Sequence, residues 1–320
     1  VVRYFCKENF CQHLQGEIMK KILLSSFLLI ANSVVAFSWG RNVLLNDKSN
    51  QSSKSSVLLS NCSVNENLVV SLENYNGNVI VKGHSANSVT VTMTMTGDKE
   101  YFSKVCANLT ATSNILDIHT SVADNSVSNN VSVEYELLVP FGSQVKFLKT
   151  LNGTIEIHHV YGPLTCQTTN GEIDIENSRG TVNAQSSNGA ISVSVDEFSK
   201  DAPLNLVTTN GSIIIENSQN SCVKATTSNG SIRMVSASVP EGSVVDLKTT
   251  NGEIECTLPK DVSTDLYART SNGKIFLKFP HTQLGGILNA TEVRAHIGNK
   301  SASIFSLFTG NNSITVKPVR

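Results

Sequence analysis

The chain is poor in aromatic residues, at 6%, and in charged ones, at 16%. With 25 basic against 26 acidic residues and a formal net charge of −1, it has no broad basic footprint for nucleic acid or an anionic membrane. No block of like charge occurs anywhere. There is no glycine-rich phosphate loop, no defensible Ser-His-Asp spacing and no paired C-x-x-C zinc signature. These gaps leave no catalytic residue, cofactor site or metal site to assign, and His158-His159 alone reads as a surface histidine pair. Beyond residue 36 only Cys62, Cys106, Cys166, Cys222 and Cys256 remain. An odd number leaves at least one thiol unpaired within a monomer, and a chain of this length is no disulfide-dense scaffold. A Cys62–Cys106 bridge and a set of mostly buried thiols are both open readings.

Ser, Thr, Asn and Val dominate instead, a composition of strands and turns. Met19 opens a segment with Lys20 and Lys21, an apolar run from Ile22 to Ala31, and Val34-Val35-Ala36 before Phe37. That is the three-part pattern of a secretory signal peptide. The run is shorter than the roughly 20 apolar residues a membrane-spanning helix needs. The reading is residues 1–18 as a non-native upstream extension, 19–36 as a signal peptide and 37–66 as a flexible polar leader, with no transmembrane anchor in the mature chain. Without 1–36 the chain keeps 21 basic and 24 acidic residues. Residues 67–320 form the remaining domain, with regular repeats over about 145–280.

The repeat is the strongest signal. Asn-Gly occurs at Asn76, Asn152, Asn170, Asn188, Asn210, Asn229, Asn251 and Asn272, and from Asn152 the steps are 18, 18, 22, 19, 22 and 21 residues. Three residues after each Asn of that run stands Ile, from Ile155 to Ile275, and two before it stands a hydroxyl, from Thr150 to Thr270. Apolar residues fill the positions four before and five after. Columns spaced by two describe strands with one apolar face. Asn-Gly is expected to supply the positive-φ residues of a tight corner. A hairpin meander would fit such strands, but columns that keep distinct characters from repeat to repeat favour coils stacked like on like. The expected fold is all-β: a single-stranded, right-handed parallel β-solenoid with an N-terminal β cap region drawn from the strands between Asn76 and Asn152. Thr309-Gly310-Asn311-Asn312-Ser313-Ile314 reads as a degenerate final coil.

The T-T-N-G-E-I motif, together with Val139-Pro140-Phe141-Gly142, Val239-Pro240-Glu241-Gly242 and Leu258-Pro259, resembles the bacterial adhesin-type family grouped as DUF4097/DUF4098. The resemblance runs from about Leu68 to Phe279. It implies an extracytoplasmic β-solenoid with an adhesive or envelope role, and it brings no catalytic residues. The irregular steps and the cysteines depart from that pattern.

Stacking would gather Glu156, His158, Asp174 and Glu176 into one outward patch, about 4.8 Å per coil. Paired carboxylates there could do acid–base work on a polysaccharide or hold a cation; a solvated sheet face is the plainer reading. Glu253 and Glu255 form a weaker pair, with Arg233 and Phe276 expected beside them. The leading expectation is an exported, periplasmic, cell-surface or secreted, non-enzymatic binding or structural module. Its partner would be a cell-surface or envelope protein or polysaccharide. The alternatives are a carbohydrate-active enzyme and an envelope assembly or stress accessory using a free thiol.

Overall fold

The computed structural model describes residues 35–37, 53–195, 202–219, 221–236, 238–279, 282–298 and 303–319. Most of these residues fall into two sheets, of 14 and 12 strands. Each repeat gives one strand to each sheet, joined at the Asn-Gly corner: Leu164–Thr168 enters one, and Ile173–Ser178 leaves in the other. Successive repeats pair in parallel. Ile155, Ile173, Ile191, Ile213, Ile232 and Ile254 are direct register partners in turn, and all six are fully buried. Parallel, in-register pairing rules out a meander and makes the molecule a β-solenoid. Alternation puts every second residue inside, where burying each large aliphatic side chain contributes roughly 1.5–3 kcal/mol.

The corners hold two further ladders. Each ladder asparagine donates its amide to the carbonyl oxygen of the asparagine one coil below. The series runs Asn76, Asn152, Asn170, Asn188, Asn210, Asn229, Asn251, Asn311, Asn272, with every rung 2.6–2.7 Å. Behind it, the buried hydroxyl column bonds to the glycine carbonyl of the preceding coil: Ser186 to Gly171, Thr208 to Gly189, Thr227 to Gly211 and Thr249 to Gly230, at 2.8–2.9 Å. The same hydroxyls accept from the N–H of their own Gly189, Gly211, Gly230 and Gly252. A group that would cost free energy if buried unpaired is thus satisfied on both sides.

The expected reason for glycine is corrected. Of the Asn-Gly pairs only Gly77 has a left-handed φ, at +116°. At Gly171, Gly189, Gly211, Gly230 and Gly252 a Cβ would overlap the carbonyl group of the glycine one coil below. Close stacking of backbones, rather than turn handedness, requires glycine there.

Sequence order and stacking order part company at both ends. The coil of Val69–Glu73 and Val79–His84 lies between the coil of residues 115–140 and that of 144–158. The chain therefore leaves the first coil, builds the cap beyond it, and returns to its other side. Within the cap, Ser88–Gly97 pairs antiparallel with Val131–Pro140, and Val105–Ala111 with Ile115–Val122. The hydroxyl of buried Tyr135 shares a 2.7 Å hydrogen bond with Thr120. Part of the expected flexible leader is a strand: Ser53–Ser63 pairs antiparallel with Ser88–Gly97, because Leu59 faces the core. The expected upstream extension, and the signal peptide up to residue 34, lie outside the described residues. Val35–Phe37, across the expected cut, pairs with Val105–Ala111.

At the other end, Ile304–Thr309 and Ile314–Pro318 do form a coil, but not the final one. They lie between the coil of residues 244–258 and that of 264–277, parallel to both. The outermost position belongs to Thr264–Thr270 and Ile275–Leu277. Glu292–Ile297 covers the first of these strands as half of an antiparallel hairpin. Glu255 therefore stands beside Arg233 and Thr315, not beside Phe276.

Candidate functional site

Stacking does assemble the outward patch. Glu156 pairs with Asp174 and His158 with Glu176 on adjacent strands. His158 sits between two carboxylates: its Nδ1 is 3.3 Å from Glu176 and its Nε2 3.8 Å from Glu156. Partial burial, with Glu176 close by, raises the Asp174 carboxyl above its ordinary range, against a hydrogen bond from Ser192. Ser192 and Ser194 end the patch on one side; Ile80 and Lys82 end it on the other, with Lys82 paired to Glu136 at 2.7 Å. Three carboxylates thus share one pleated face with a single histidine. Among the described residues no group of three or more His, Cys, Asp and Glu is arranged to hold a metal ion. His158 and His159 do not converge: His159 occupies a left-handed return position at φ +58°.

A second feature was hidden from the repeat. Where Glu292–Ile297 runs beside Thr264–Thr270, a shallow groove of about 440 Å³ is lined by Asp265, Tyr267, Arg294, His296 and Ile304 among others. The Arg294 guanidinium lies 5.1 Å from the Tyr267 ring centroid and 3.3 Å from Glu292. His296 Nδ1 is 2.7 Å from Asp265. The only sequence signal for this strand is the alternation of Val293, Ala295 and Ile297, all buried, beyond the last Asn-Gly.

The cysteines divide by burial. Cys166 and Cys256 are buried in the core columns, and desolvation pushes both thiols up to about 12. Cys222 is exposed. Cys62 and Cys106 are thiols, donating to the Ser63 carbonyl and to Asn108, so the Cys62–Cys106 bridge is not formed.

The Toastrack DUF4097 family model matches residues 50–291. The chain belongs to the DUF4097 family. No curated protein matches this DUF4097 chain. Similar solved structures include a protein provisionally named as a cell adhesion protein, from Clostridium sporogenes, at 11% identity over 83% of this chain and 100% of that one, TM-score 0.26. Another, provisionally named as an adhesin, comes from Bacteroides fragilis, at 12% identity over 85% and 98%, TM-score 0.37. A third, provisionally named as a lipid binding protein, comes from Parabacteroides distasonis, at 11% identity over 85% and 98%, TM-score 0.34. No described helix of this DUF4097 protein is long and apolar enough to cross a membrane.

Proposed function

We propose that this DUF4097 protein is an exported, non-enzymatic binding or structural module of the cell envelope, which meets its partner through extended sheet faces. The observation that carries the reading is the character of those faces. Polar side chains are laid out at coil spacing, and several charges meet an opposite charge on the adjacent coil, as in Lys82–Glu136 and Lys317–Glu255. Such a surface offers an extended polar face for contact with a partner. The segment from Met19 to Ala36 supplies the export signal in this reading.

The test has two parts. Cells expressing the chain from Met19 are fractionated, and the N-terminus of the product is determined by mass spectrometry; a start near Phe37 in an extracytoplasmic fraction is expected. Purified protein is then tested against envelope polysaccharides and envelope proteins. Retention in the cytoplasm with Met19 intact, or no binding to either class, would defeat the proposal.

The raised Asp174 beside Glu156 and Glu176 favours one second reading, a carbohydrate-active solenoid. It requires wild-type protein to cleave a polysaccharide and Asp174→Asn to stop it. No cleavage by the wild type ends that reading.

A further inference from the structure

The coil 304–318 fills a slot whose two walls, 244–258 and 264–277, both precede it in the chain. Its columns repeat those of the walls. Phe305 stands between Val245 and Leu266, Leu307 between Leu247 and Ala268, and Thr309 between Thr249 and Thr270. In the other sheet Ile314 stands between Ile254 and Ile275, and Val316 between Cys256 and Leu277. Phe305, Leu307, Ile314 and Val316 are at most 1% exposed. The asparagine ladder passes through Asn311 to reach Asn272. Thr309 donates to the Gly252 carbonyl at 2.7 Å, and Thr270 to that of Asn312 at 2.8 Å. On the outer faces, Lys317 pairs with Glu255, and the Lys248 ammonium lies 5.6 Å from the Phe308 ring centroid.

We infer that this slot is a binding site for a two-stranded β coil, filled in cis by residues 304–318 and able to accept the same segment from a second copy of the chain. Every contact just named joins 304–318 to a wall, so an exchanged pair keeps all of them. For these contacts the hydrophobic and hydrogen-bond terms are equal in the two forms. Association entropy then makes the balance depend on protein concentration. The walls also carry matching columns of their own, with Ile254 and Ile275, Thr249 and Thr270, and Asn251 and Asn272 at equivalent positions. The slot is therefore selective for a strand pair with this pattern and indifferent to which copy supplies it.

The experiment uses the full chain in a Cys222→Ser background, which removes the exposed thiol. Thr257 and Lys317 are register partners on an outer face. A chain carrying Thr257→Cys and Lys317→Cys together locks intramolecularly on oxidation. Two chains carrying one substitution each are unfolded, mixed, refolded at increasing concentration and oxidised. The expected product is a disulfide-linked heterodimer at twice the 34.5 kDa chain mass, its yield rising with concentration. Asp246→Cys with Ser306→Cys, partners in the other sheet, repeats the measurement should the first pair hinder folding.

Three results overturn the inference. One is a cis lock in the double variant with no heterodimer from mixed chains at any concentration. Another is heterodimer formed equally well when Thr165→Cys, several coils away, replaces Thr257→Cys. The third is failure of both double variants to lock, which would mean that 304–318 does not occupy the slot.

Discussion

The hydroxyl two positions before each corner asparagine carries more than its size suggests. Thr208 is buried, donates to the Gly189 carbonyl and accepts from the Gly211 N–H. Thr208→Val keeps the shape and leaves both backbone groups without a partner; a loss of about 1–3 kcal/mol is expected in urea unfolding. Gly189→Ala is expected to cost more, because its methyl would meet the backbone of the coil below; the check is again the urea midpoint, and an unchanged midpoint would refute close stacking as the role of glycine. Titration with a thiol reagent should label Cys222 rapidly in native protein, while Cys166 and Cys256 react only on unfolding. At Glu73, a hydrogen bond from Lys149 at 2.8 Å holds the carboxyl below its usual range, against the opposing push of partial burial. The resulting stability is present above the ordinary glutamate pKa and is lost as pH falls through the lowered folded value. Lys149→Met should flatten that acid limb by no more than about 1 kcal/mol, since the pair is largely exposed. Asp174 has the opposite sign: its raised carboxyl favours the fold below the ordinary aspartate pKa, and that contribution is lost as pH rises through the folded value. Asp174→Asn should therefore leave stability at pH 3 nearly unchanged and raise it slightly at pH 7.

At the scale of the element, the unit is one coil, and its inner columns decide its cost. Ile213→Ala removes a fully buried side chain from the middle of the stack and should lower stability by about 2–5 kcal/mol, whereas Ile304→Ala, at a position 48% exposed, should cost little. Period-two columns and their like-on-like stacking were legible in the sequence because each coil must match both neighbours chemically. The patch around His158 was legible for the same reason, since the columns fix who stands beside whom. Coil order was not legible. Asn251 and Asn272 are consecutive Asn-Gly corners, and nothing local distinguishes Ile254 on Ile275 from Ile254 on Ile314 on Ile275. The intervening coil carries Asn312 in the glycine column, so a search for Asn-Gly passes over it. The strand Ser53–Ser63 was hidden by its serines: it pairs along only one edge and needs few apolar residues to stay attached.

Over the whole molecule, the two ends differ. Beyond the first coil lies a cap of antiparallel strands, whereas Ile275–Leu277 has a strand partner on one side only. Ile275 and Leu277 are only partly buried, although Ile254, Ile314, Cys256 and Val316 in the same columns are buried, and Phe276 is 45% exposed. Keeping this edge to three residues limits its use as a template for foreign strands. All eight rungs of the asparagine ladder donate in the same sense, from Asn272 towards Asn76. Aligned amide dipoles add instead of cancelling, so the row of side chains gives the rod a permanent electrical polarity. A rod with that polarity and two unlike ends has a direction, and at a charged boundary one orientation along its axis differs in energy from the reverse.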